Sequence, residues 1–415
     1  MFKHGLIAGL TVAAFLSVPT ASADTNRASL SGKVTDRGGK PLENATVMIY
    51  QAGVKKGYNT FCPSCYVDCG KRATTDRAGS FTFTNLDPDL WFELLVIRDG
   101  YTAAFVNKAD PAQQPIPTAV LAPRAPVDDP GRVVRGRVVG PAGRPLAAAV
   151  VLPLGVSTDE GSMYGTIDGL EPIAVTNDRG EFELAHSARA KGMLLDVEAR
   201  GMAPRLIAMF TGADRKTVTV SDGAVVRGRL VNKGKPVAGA ELGLIARDRG
   251  GYGADLKIIG NPYEEIRIGT QKDGTFVIPN VPTGVEWYVY GKMESIASLG
   301  ATAPVRFTTV RDGEEVNAGD VEIRTGYRLG GKITLTDGAA IADGMRITIG
   351  AKDVWDSQTV VIGRDGRFEF RGIPAGQYEI STSVRGYHPQ RDDLSDIAVD
   401  RDREDLAITL VPGRR

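Results

Sequence analysis

The sequence predicts an all-β chain built as a tandem array of four small, seven-stranded Ig-like or transthyretin-like β-sandwiches behind a cleaved signal peptide. Three observations carry this. The phrase Asp76-Arg77-Ala78-Gly79-Ser80-Phe81-Thr82-Phe83 returns as Asp178-Arg179-Gly180-Glu181-Phe182, Asp273-Gly274-Thr275-Phe276 and Asp365-Gly366-Arg367-Phe368. Its phenylalanines, at 81, 182, 276 and 368, are 101, 94 and 92 residues apart, longer than a solenoid repeat and right for one small domain per copy. Finally, no segment shows sustained helical periodicity with caps at both ends.

Taken in order, the chain opens with Lys3 and His4 before an apolar run from Leu6 to Val18, then Ala21-Ser22-Ala23. That is the pattern of a secretory signal. The run is too short to span a bilayer comfortably, and no later stretch is long and apolar enough to do so. Cleavage after residue 23 leaves 392 of the 415 residues, enough for four cored domains. The 50 basic and 50 acidic residues balance without a long single-sign run, which argues against a nucleic-acid protein.

Each copy then starts on a Gly-basic-aliphatic strand: Gly32-Lys33-Val34, Gly136-Arg137-Val138, Gly228-Arg229-Leu230 and Gly331-Lys332-Ile333. A turn closed by Pro41, Pro145 or Pro236 follows, with Ala340 at that place in copy four. A small residue (Ala45, Ala149, Ala240 or Gly344) four places on is expected to let backbones approach closely. A second strand runs through 46–50, 150–152, 241–245 and 345–349. The Asp-Gly-Phe hairpin comes next: Asp and Gly supply the turn, and the alternation after it buries one strand face. Beyond it lie a Pro, a strand and a Gly-aromatic turn, such as Pro374 to Ile380 and Gly386-Tyr387. Copy three lacks an aromatic after Gly291. Closing strands include Lys216 to Val220 and Leu406 to Leu410.

The expected units are a signal peptide at 1–23 and sandwiches at 24–122, 131–222, 223–326 and 327–415. A Pro-rich linker at 123–130 lies within a proline-rich joint from Pro111 to Pro130 that should be extended and stiff. The other joints are very short, which favours a semi-rigid rod.

The succession Gly-x-Val, Gly-x-Pro-x-x-x-Ala, Thr-Asp-x-x-Gly-x-Phe, Pro-x-x-Tyr and Gly-Tyr resembles the carboxypeptidase regulatory-like domain, four times over the mature chain. The resemblance implies a transthyretin-like sandwich related to starch-binding-like and collagen-adhesin B-type domains. Its motifs are turn and core residues, so no active site comes with them.

All three cysteines, Cys62, Cys65 and Cys69, sit in one eight-residue stretch. In an exported protein the first reading is one local disulfide plus a spare thiol; metal binding and redox chemistry are alternatives. A closed zinc site needs four ligands, and only His186 and His388 remain after cleavage. Haem attachment needs His after the second Cys, where Tyr66 stands. Cys-Pro-Ser-Cys has the spacing of a thioredoxin-like redox motif but lacks its βαβ context. The two histidines are expected at the surface, and the acidic pairs (Asp128-Asp129, Glu264-Glu265, Glu314-Glu315, Asp392-Asp393) solvated. One turn Asp per copy is too few for calcium. No catalytic residue, metal or cofactor is therefore assigned, and the chain is read as no enzyme.

All four inserts fall between the second strand and the hairpin, near 51–74, 153–175, 246–269 and 351–361. Equivalent loops on equivalent domains are where binding usually lives. Their aromatics Tyr58, Tyr66, Tyr164, Tyr252, Tyr263 and Trp355 are ligand-binding candidates that could stack on sugars or pack over the domain ends. The expected function is a non-catalytic binding or scaffold protein of the periplasm or extracellular space, with polysaccharide, glycan or envelope-protein partners. Its alternative is an interaction rod acting through protein contacts, and a carboxylate-based hydrolase ranks last.

Overall fold

The computed structural model describes residues 27–56, 66–247, 266–390 and 393–413. The expected signal peptide, Cys62 and Cys65 lie outside them. The chain is all-β: four successive sandwiches, each with its own apolar core between two sheets.

One strand of each sandwich organises its first sheet. The opening strands are Ala28–Asp36, Val133–Val139, Ala224–Asn232 and Tyr327–Leu335. Each pairs antiparallel with its hairpin strand, namely Ser80–Leu86, Glu181–Ala185, Thr275–Val281 and Arg367–Ile373. On its other side each pairs parallel with a closing strand: Ala119–Pro123, Lys216–Thr219, Glu315–Arg324 or Arg403–Pro412. The second sheet is built on Thr46–Val54, Val150–Ser157, Glu241–Ala246 and Arg346–Ala351. These pair with Leu90–Ile97, Gly192–Glu198, Val285–Gly291 and Gly376–Ser383.

The opening glycine and the hairpin phenylalanine face each other across the first sheet in every copy: Gly32 and Phe81, Gly136 and Phe182, Gly228 and Phe276, Gly331 and Phe368. In the first three copies the ring lies over the glycine. A Cβ there would stand 2.6, 2.3 and 2.4 Å from a ring carbon. In copy four it would instead meet the Leu406 carbonyl at 2.0 Å, beside an irregularity in the closing strand. All four phenylalanines are buried.

The hairpin turns show a second regularity. Thr75, Thr176 and Thr270 are buried. Each donates its hydroxyl to a backbone carbonyl (Leu42, Leu146, Val237) and accepts the N–H of the small residue Ala45, Ala149 or Ala240. Copy four has Ile362 there, its Gly344 stands one place earlier, at the positive-φ position of Asn44, Ala148 and Gly239, and Met345 takes the place of the alanine, so the close approach expected at the small residue holds in three copies only. In copy two the turn is initiated by Asn177, not Asp178: the Asn177 side-chain oxygen accepts the N–H groups of Arg179 and Glu181, as Asp76 does those of Ala78 and Ser80.

Two expectations about connections change. The inserts are shorter than read, because the second strands run on to Val54 and Ser157 and the returning segments Arg72–Thr74, Ala174–Val175 and Ser357–Val361 pair back onto them. The first half of the proline-rich stretch is folded onto sandwich one and does not act as a linker. Gln114 bonds Ser29 and Ser31, Ile116 is buried, and 119–123 is the closing strand. Among the described residues the helical structure is slight: three single 3-10 turns and one α-turn, Met293–Ile296, where copy three has no aromatic after Gly291.

Replacing Phe182 with Ala should cost sandwich two about 3–5 kcal/mol. Gly136→Ala should cost about 1–3 kcal/mol by overpacking, and far less in the Phe182→Ala background, since the clashing ring is gone. Chemical denaturation of the four proteins measures this. Equal costs of Gly136→Ala in both backgrounds would contradict the ring-over-glycine contact.

Candidate functional site: the joints between sandwiches

The residues singled out in the sequence are not gathered into one cleft. Tyr66 packs against the core of sandwich one, Tyr164 is half exposed on sandwich two, and Trp355 is half exposed on sandwich four. Tyr58, Tyr252, Tyr263, Glu264, Glu265 and Asp392 lie outside the described residues. Cys69 is buried in the first core, and that burial pushes its thiol pKa up. His388 is exposed, but His186, expected at the surface, is buried. Its Nδ1 lies against the Ala188 backbone, 2.9 Å from the carbonyl and 3.3 Å from the N–H, and its Nε2 lies 3.3 Å from the Asp168 carbonyl, so backbone groups stand in for water. Among the acidic pairs, Asp129 makes a two-pronged contact with Arg189, which holds its pKa below the usual carboxylate range, and Glu315 pairs with Arg227. Among the described residues no group of three or more His, Cys, Asp or Glu is placed to hold a metal ion. No helix of the described residues is long and apolar enough to cross a membrane.

What the structure does assemble are the joints. Sandwiches one and two meet face to face through their second sheets. Val47 and Ile49 point into the first core, while Met48 and Tyr50, on the other face, join Leu95, Val150 and Ile173 in a separate apolar cluster. The Tyr50 ring lies 5.4 Å from that of Phe105. Its hydroxyl donates to Glu198 Oε2 across the joint at 2.5 Å. The Arg200 guanidinium occupies the space a Cβ on Gly70 would need. Just after the closing strand of sandwich one, Arg124 grips Glu171 of sandwich two with two nitrogens, at 2.5 and 3.0 Å.

Burial dominates the electrostatics of this joint. It raises the Glu198 pKa against the opposing hydrogen bond from Tyr50. It also raises that of Glu93, opposed by Gln51 and reinforced by the charge of Glu198. Tyr50 is pushed well up by burial and then by Glu198, Glu93 and Asp196.

Sandwiches three and four are joined by a plug. Ile245 and Tyr290 of sandwich three cluster with Val354 of sandwich four. The single helical turn after Gly291 enters sandwich four, where Met293 is part of the core. Its N–H donates to Asp356 Oδ2 at 2.9 Å. Lys292, buried, lies 3.3 Å from Asp356 Oδ1, donates to the Trp355 carbonyl at 2.6 Å and faces the Tyr290 ring at 5.6 Å. Glu294 accepts the Thr359 N–H at 3.0 Å. Gly372, at φ +65, lets the two backbones touch: a Cβ there would lie 2.6 and 2.7 Å from the carbonyls of Gly300 and Ala297.

Sandwiches two and three share a polar contact. The Asn280 side-chain amide donates to the carbonyls of Gly201 and Asp222, at 2.9 and 2.8 Å, and Gly223 packs against Ala203.

No protein-family model matches the chain, and no curated protein matches it. Solved structures with some likeness include the Bacillus anthracis TIE protein, 13% identical over 95% of this chain and 76% of that one, with a TM-score of 0.20. Another is a streptococcal ancillary pilin, 12% identical over 68% of this chain and all of that one, TM-score 0.23. A third is BcpA*(D312A), the major pilin subunit of Bacillus cereus, 10% identical over 72% of this chain and all of that one, TM-score 0.18. Values this low leave function to be argued from the chain's own residues.

A sequence signal for the joints existed. A sandwich strand with one wet face alternates, yet Val47-Met48-Ile49-Tyr50 and Val150-Val151-Leu152 are unbroken apolar runs, as fits strands covered on both faces. Arg346-Ile347-Thr348-Ile349-Gly350, in the last copy, alternates, and Arg346 is exposed.

Met293→Ala should destabilise sandwich four by about 2–5 kcal/mol although the residue belongs to sandwich three. Hydrogen exchange resolved by sandwich reads this, and an effect confined to sandwich three would contradict the plug. The first joint should depend on pH. Glu198 and Glu93 have raised pKa values when the joint is closed, so the closed state binds more protons than the open one. Its stability is therefore full below the ordinary glutamate range and falls as pH rises through the raised values. Glu198→Gln keeps an acceptor for Tyr50 and should flatten this slope in thermal melts across that range. An unchanged slope would exclude Glu198 as its source.

Proposed function

We propose that the chain is a non-catalytic, exported interaction rod that spaces or presents partners in the cell envelope through protein contacts. The observation that supports this reading most is where buried chemistry is invested. Tyr50 with Glu198, Lys292 with Asp356 and Met293 all serve to orient one sandwich against the next. An enzyme or sugar-binding module concentrates its polar groups in a cleft open to a ligand. Among the described residues, the half-exposed insert aromatics Tyr164 and Trp355 sit on different sandwiches. The units are sandwiches 24–122, 131–222, 223–326 and 327–415 with a linker at 123–130, of the carboxypeptidase regulatory-like type, exported by the signal at 1–23. Two of Cys62, Cys65 and Cys69 pair in the mature protein.

Photo-crosslinking from exposed positions on each sandwich, in cells exporting the full chain, tests the reading. Defined envelope-protein adducts at fixed positions are expected, with no glycan-array signal. Glycan binding that is lost in both Tyr164→Ala and Trp355→Ala would return the sugar reading. Thiol counting on the exported protein should find one free thiol of three, and three free thiols would overturn the pairing.

A further inference from the structure

We infer that the chain is two rigid pairs of sandwiches articulated at Asp222-Gly223, with Asn280 as the latch of that hinge. This inference goes beyond the rod reading and stands on the joints alone.

The three joints differ in kind. The first is closed by an apolar cluster from both partners, Met48, Tyr50 and Leu95 against Val150 and Ile173, with two cross-joint polar contacts around it. The third shares a core: Met293 of sandwich three lies in the apolar cluster of sandwich four, and Lys292 and Asp356 are buried together. Moving either joint exposes apolar surface, and in the third it strips a buried charge of its partner, which is strongly unfavourable.

The second joint has neither device. Among the described residues, the apolar cluster of sandwich two draws only on residues from Val134 to Val220, and that of sandwich three only on Val226 to Ile323. The outer face of the second sheet of sandwich two is already used against sandwich one. Among the described residues, the contacts at this joint include the turn at Gly201, the buried methyls of Ala203 and Ala224 and the chain at Asp222-Gly223. Asn280 holds two of their carbonyls with one amide. Hydrogen bonds of this kind contribute little on balance, because water takes their place when the joint opens, whereas the flanking joints must give up buried surface.

The geometry of the latch is specific. Asn280 sits at φ +56, four residues after Phe276, and Gly223 at φ +68. Asn tolerates the left-handed region because its short polar side chain bonds locally. Asn85 and Gly372 occupy the same place after Phe81 and Phe368, also with positive φ. The left-handed bend is thus common to three copies, and the amide that reaches back to the preceding sandwich is particular to the hinge. Gly223 also allows the chain to turn where a Cβ would strike the Val281 carbonyl at 2.7 Å.

The test uses the full mature chain with spin labels carried on unnatural residues, so that the cysteines stay intact. Labels at exposed Lys40 and Lys216 report the first joint, Lys216 and Thr308 the second, Thr308 and Arg385 the third. Asn280→Gly keeps the left-handed backbone and removes the amide, so it separates the latch from strain. Pulsed dipolar distances should show the Lys216–Thr308 distribution widening in Asn280→Gly while the other two keep their wild-type widths. Melting of each sandwich should be unchanged. A Lys216–Thr308 distribution unaltered by the substitution overturns the latch. Equal widening at all three joints overturns the division into two rigid pairs.

Discussion

The glycine and phenylalanine that face each other across the first sheet are the constraint from which the rest of each sandwich follows. A ring laid over a glycine covers backbone that would otherwise be poorly packed. It also sets the register of the hairpin strand against the opening strand, because a slip by one residue would turn the ring out of the core. With that register held, Phe83, Leu184, Ile278 and Phe370 point inward two residues on. The same pairing accounts for a residue choice that is costly on its own terms, a glycine in the middle of a strand.

The threonine at the hairpin turn plays the complementary part between sheets. Its hydroxyl serves as donor and acceptor in a buried position, tying the carbonyl after the proline to the N–H of the small residue at the start of the second strand. Copy four omits it, with Ile362 in its place: the backbone bond that Thr75, Thr176 and Thr270 make to Ala45, Ala149 and Ala240 is kept between the Ile362 N–H and the Met345 carbonyl, and the hydroxyl contacts are gone. That copy also lacks the turn proline and the buried alanine. Loss of one member of such a linked set removes the reason for the others.

Between sandwiches the same second sheet is put to another use. Where it is covered on both faces, in copies one and two, it becomes the joint. In copy four the outer face carries Arg346 and Thr348. The third joint adds a different device, a helical turn that lends Met293 to the neighbouring core. Sandwiches three and four are thus coupled more closely than linked domains usually are.

The fourfold β architecture, the strand order within each copy and the buried phenylalanines were legible in the sequence, because turn residues and alternating apolar positions are local signals that backbone sterics and burial impose directly. So were the closing strands. The joints were not read, although the unbroken run Val47-Met48-Ile49-Tyr50 marked one of them. Which surface covers Met48 and Tyr50 depends on residues far along the chain, such as Val150 and Glu198. His186 illustrates the same limit. Its burial depends on backbone groups of Asp168 and Ala188, a carbonyl facing Nε2 and an N–H donating to Nδ1, that can satisfy its ring once a neighbouring loop folds over it. Local pattern determines what a strand is. Partnership across domains rests on shape and on the pairing of buried polar groups at long range, and these exist only once the chain has folded.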